Sequence, residues 1–148
     1  MKATSVIIHA PRFPIQWPEN PDEDPPPGRF TAQALLDDLI ATGLATTKEK
    51  TIGERDYEHG AWWFDFKYQG ASYDVEVEAN VNDQYPPIWR ICLSKSPGFF
   101  HALFGKNESH FEVPEDCLNF FGAALHRVFG PGDLQWLTYD EATHRFWG

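Results

Sequence analysis

The chain has 148 residues, 42% of them hydrophobic and 16% aromatic, and a formal net charge of −10. That is the size of one domain, 1–148, large enough to bury a core without staples. The shortage of Lys and Arg argues against binding a nucleic-acid backbone or an anionic membrane, whereas a basic protein partner would be attracted.

In chain order, residues 3–9 read as a first strand. Their apolar run, Val6-Ile7-Ile8, is too short for a signal peptide, and no run approaches a membrane span. The expectation is a soluble, cytoplasmic protein. Residues 10–29 hold seven prolines and four acids. Proline fixes φ and removes a donor, so this stretch reads as a Pro-rich acidic loop, with Phe13, Ile15 and Trp17 pinning it to the body. A helix follows, with Thr31 as N-cap and a staple between Phe30 and Leu35. Leu35, Leu36, Leu39 and Ile40 recur at helical spacing. Gly43 fits the C′ position, with Leu44 closing back on Leu39. Asp37 and Asp38 face outward.

Residues 46–57 read as an exposed or edge strand, whose charges block sheet-to-sheet pairing. The clearest local signal comes next, between Ala61 and Ala79. Two β-rich runs flank Gln69-Gly70, a two-residue hairpin turn. Pairing Tyr68 with Ala71 sets Phe66 opposite Tyr73, Phe64 opposite Val75 and Trp62 opposite Val77. One face is then apolar. The other carries Trp63, Asp65, Lys67, Ser72, Asp74, Glu76 and Glu78, with Asp65 directly opposite Asp74. Ile88 to Lys95 reads as the next strand, its Arg90 and Cys92 on the acidic side. The helix at 114–129 starts with Pro114 at N1 and buries Leu118, Phe121, Leu125 and Val128. Gly130-Pro131-Gly132 ends it. Leu134 to Leu137 is a short strand candidate, and a final turn spans Asp140 to Phe146. Ser96 to Gly105 is apolar and reads as core or flap.

Strands that follow one another directly imply an α+β fold: an antiparallel meander of four to six strands, with two main helices packed on one face. The acidic face should be open, or covered by something outside the chain.

Catalytic signals are weak. The six histidines form no zinc spacing, the two cysteines stand alone in strand and helix, and no nucleophile motif or phosphate loop is present. Neither a cofactor nor a metal is expected, and no residue is assigned as catalytic. The constellation to weigh is Asp65, Asp74 and Glu76. Carboxylates opposed across a strand pair lie close enough to share a proton, so a small enzyme or a cation site is the alternative. Like charges so placed destabilise a sheet. The primary reading is therefore a face kept acidic for a basic partner: Trp63 as anchor, with Asp65, Asp74, Glu76 and Glu78 supplying charge.

The overall profile, and the closing run Phe129-Gly130-Pro131-Gly132-Asp133-Leu134-Gln135-Trp136 in particular, resembles immunity proteins of bacterial polymorphic and contact-dependent toxin systems. The closing pattern of one such family is a helix, a short turn with Pro or Gly, then a strand with a Trp. The resemblance implies a small non-enzymatic inhibitor that binds a cognate toxin domain in the producing cell.

Overall fold

The computed structural model describes residues 4–9, 28–48, 53–56, 61–79, 88–96, 112–130 and 134–147. The Pro-rich stretch up to Pro27, the segment 97–111 and His59, His101 and His110 lie outside these residues, so the expectations placed there are untouched. The chain folds as α+β. One antiparallel sheet runs β1 (Ser5–His9), β6 (Ile88–Lys95), β5 (Ala71–Ala79), β4 (Ala61–Tyr68) and β2 (Ala45–Thr46), with β3 (Gly53–Asp56) also on β4. Among the described residues three helices accompany it: α1 (Arg29–Ala41), α2 (Glu115–Phe129) and α3 (Tyr139–Trp147).

The hairpin has the expected register at every position from Ala61↔Glu78 to Tyr68↔Ala71. Gln69 and Gly70 both take positive φ, 50° and 80°. That matches the right-handed twist of the flanking strands. With a two-residue turn fixing the first pair, side chains must alternate between faces. Trp62, Phe64, Phe66, Tyr73, Val75 and Val77 are accordingly all buried. On β6, Trp89, Ile91 and Leu93 join them, and on β1 Val6 and Ile8.

α1 and α2 cover this apolar face. Phe121 of α2 stacks on Phe66 with ring centroids 6.2 Å apart, and Phe120 stacks on Tyr68 at 4.3 Å. Leu118 is only partly buried. Cys117 and Ala124 join Phe121, Leu125 and Val128 in the buried stripe. The two helices are tied by Arg127, whose guanidinium donates to both oxygens of Asp38. Asp38 is therefore a tether and not merely a solvated acid. Burial, reinforced by the neighbouring Cys117, pushes Tyr73 up to about 12, and burial pushes the Cys117 thiol up to about 11.

Several local expectations change. α1 begins two residues earlier than Thr31: Gly28 is the N-cap, in the left-handed region at φ 116°. A Cβ there would lie 3.2 Å from Trp62 and 3.3 Å from Trp89, so both the conformation and the close approach to two tryptophans favour glycine at this cap. Thr31 is then buried one turn in, and Phe30 is 71% exposed and staples nothing. At the other end Gly43 does take positive φ, but Leu44 is exposed. The Thr42 hydroxyl donates to the Leu39 carbonyl and accepts from the Leu44 amide, replacing the expected closure. Pro114 is the N-cap of α2, not its first residue.

The edge strand is broken in two. Thr46 pairs with Lys67 and Gly53 with Trp63, so seven steps along one strand are set against four along β4. The tail also differs. Leu134 to Leu137 is not a strand; Leu137 alone makes a bridge to Ser5, with its amide and carbonyl both bonded. The expected final turn is a full helix. Its first turn is closed by reciprocal bonds between Thr138 and Glu141, a capping box.

Candidate functional site

The second face of the sheet reads as a grid. Trp63, Glu76, Cys92 and Ser5 form one row across the strands, and Asp65, Asp74 and Ser94 the row nearer the turn. On the far side, Ala61, Glu78, Arg90 and Ile7 form a third row. Asp74, Glu76 and Glu78 thus run down β5 at every second position, a column of three carboxylates.

Asp65 lies directly opposite Asp74, as the register requires. Counting from the turn-closing pair Tyr68↔Ala71, Asp65↔Asp74 falls on a non-hydrogen-bonded position. There side chains approach more closely than at the alternate positions. Asp65, Asp74, Glu76 and Trp63 are each partly exposed, and Lys67 is exposed. The ion pairs described, Glu78–Arg90 and Asp38–Arg127, leave those three carboxylates out.

Glu78 belongs to a different environment. It is 2% exposed and bound to Arg90, itself 6% exposed. Burial, the largest single influence, would lower the Arg90 pKa, but the Glu78 carboxylate together with Cys92 and Tyr139 offsets it and holds the guanidinium above its ordinary value. Arg90 also donates to the Thr143 hydroxyl at 2.7 Å. Its guanidinium carbon lies 5.3 Å from the Tyr139 ring centroid and 5.2 Å from that of Phe146. α3 therefore covers the third row. The expectation that nothing in the chain covers this face is overturned at that end: a nine-residue helix occupies it, anchored on Arg90. The acidic strip left partly exposed is Asp65, Asp74 and Glu76, with Trp63. The cage residues Tyr139, Thr143 and Phe146 share one side of α3 through their spacing of four and three. That spacing was the available signal.

Chemically, the strip offers charge and little else. The Cys92 thiol is pushed up by burial, against the opposing pull of the Ser5 hydroxyl, which donates to it at 3.2 Å, and of Arg90. A thiol so held is not an activated nucleophile. Both cysteines are free, Cys92 on β6 and Cys117 on α2. Beside Asp65 is a shallow cleft of about 110 Å³, lined by Thr46, Thr47, Lys48, Asp65, Phe66, Lys67 and Ser72. Sites for small organic ligands usually enclose roughly 300–1,000 Å³. Among the described residues no group of three or more His, Cys, Asp or Glu is placed to hold a metal ion. No helix among them is long and apolar enough to cross a membrane. Comparison with family models, with curated proteins and with solved structures finds no match to this chain.

Proposed function

We propose that this protein is a non-enzymatic binding protein that meets a basic protein partner through the exposed strip Trp63, Asp65, Asp74 and Glu76. The observation that carries the reading is the Asp65–Asp74 opposition. Two acids are set face to face at the closest type of cross-strand position, partly exposed and outside the ion pairs described. Such an arrangement costs stability in the free protein. Lys or Arg side chains of a partner would convert the repulsion into attraction. Close charge pairs across an interface couple by about 1.5–7 kcal/mol. Trp63 sits in the same strip, opposite Glu76, where an aromatic ringed by polar groups makes an anchor. The overall charge of −10 would speed encounter with a basic surface.

The resemblance of the chain to toxin immunity proteins gives this partner a class: a cognate bacterial toxin domain, inhibited by direct binding in the cytoplasm of the producing cell. Glu78 is outside the proposed contact surface, because it is buried against Arg90. The test is co-expression with the product of the neighbouring reading frame, followed by affinity measurement. Binding should fall by about tenfold or more in Asp65→Asn and in Asp74→Asn, the lower end of charge-pair coupling. Parental affinity in both variants would reject the strip and direct attention to Glu19 to Asp24.

A further inference from the structure

We infer that α3 is a detachable cover. It leaves the sheet as one cooperative unit while the rest of the fold stays intact, and in leaving it bares the Glu78 end of the carboxylate column. Four observations carry this. First, α3 has nine residues, too few to stay helical in water alone, so it is either docked or unfolded. Second, the residues buried with it, Leu137, Ala142 and Phe146, are separate from the core cluster beneath α1 and α2. α3 packs on β1 and β6, and the large aromatic core lies on the opposite side of the sheet. Third, one side chain, Arg90, reaches three residues of α3: Tyr139, Thr143 and Phe146.

The fourth observation decides the cost of opening. Glu78 and Arg90 are direct neighbours on β5 and β6, so they remain paired when the helix departs. Removing one partner of a buried ion pair is expensive because it strands a charge. Undocking α3 strands none; it returns both charges to water together. Among the described residues the departing helix loses its contacts with Arg90 and β1 and the burial of Leu137, Ala142 and Phe146, while the core cluster beneath α1 and α2 is left in place. Release by itself does not depend on the partner proposed above. Use of the newly bared Glu78 by that partner does.

Native-state hydrogen exchange on the full chain, with no partner present, tests the release by itself. Amides of Thr143 to Phe146 should exchange at least about a hundredfold faster than those of β5 and β6, with little dependence on low denaturant, as a local opening requires. In full-length Phe146→Ala, α3 should lose its protection while β5 and β6 keep theirs. Exchange of α3 at the same rate and with the same denaturant slope as β5 and β6 would overturn the inference. So would collapse of sheet protection in Phe146→Ala.

Discussion

Arg90 and Glu78 face each other across neighbouring strands and are buried together under α3. Mutual attraction and mutual burial oppose each other here. Removing either partner alone leaves the other enclosed. Glu78→Leu and Arg90→Leu should each destabilise by about 3–5 kcal/mol, and the double variant by clearly less than the sum. Urea unfolding of the four proteins measures the cycle. Additive losses would mean that the two side chains act independently.

For Asp65 and Asp74 the sign reverses. With one repulsion removed, Asp74→Asn should raise the stability of the free protein by about 0.2–1 kcal/mol. The gain should shrink with added salt, because the strip is partly exposed and screened. A thermal-midpoint series at low and high ionic strength reads both effects. A lower midpoint for Asp74→Asn would show that the carboxylate has a stabilising role in the free fold.

The hairpin was legible in the sequence down to single pairs. Gln69-Gly70 fixed the turn, and period two then dictated every facing residue from Phe66↔Tyr73 to Ala61↔Glu78. What escaped depended on contacts distant in the chain. Gly28 caps α1 with Trp62 and Trp89 against it, and no local signal at residues 28–31 contains that packing. Thr31 and Phe30 matched a capping pattern that tertiary packing overrode. In the strip, Asp74, Glu76 and Glu78 look alike as a string of alternating acids. Only the placement of Arg90 on the adjacent strand, and of α3 above both, separates the buried Glu78 from the two partly exposed acids. Arg90 was readable as lying on the acidic side of its strand. Its enclosure was not, because Asp140 to Phe146 reads as little more than a turn.

Core packing gives the third prediction. Phe64 is 2% exposed and sits at the middle of the apolar face opposite Val75. Truncation to Ala removes most of a ring from a closely packed interior, so Phe64→Ala should cost about 3–5 kcal/mol. The denaturant midpoint should fall with the slope unchanged, since the same surface is exposed on unfolding. A loss below about 1 kcal/mol would mean that the site collapses onto the missing ring.

The fourth concerns alkaline pH. Tyr73 and Cys117 both have pKa values raised in the folded state, to about 12 and about 11, from ordinary values of 10.0 and 9.0. Above pH 9 the unfolded chain gives up protons that the folded chain retains. Their contribution is therefore fully present below pH 9, and is lost as pH rises through the folded values. The slope approaches about 1.4 kcal/mol per pH unit for each group in its window. Urea midpoints of the parent and of Tyr73→Phe with Cys117→Ala, compared at pH 8, 9.5 and 10.5, isolate the effect. The parent should lose more stability than the double variant. Parallel curves would refute the assignment.

The slipped register between β2 and β3 bears on how this protein avoids others like itself. Both pieces pair with β4, but three residues out of step with one another. A strand from a second molecule that aligned with β2 would miss its ladder at β3, so that border offers no continuous template. The opposite border ends on β1, where Leu137 already takes the Ser5 amide and carbonyl. A sheet this rich in aromatic and β-branched residues would otherwise invite edge-to-edge growth into fibres. The irregular strand and the Leu137 bridge each interrupt the ladder that such growth would extend.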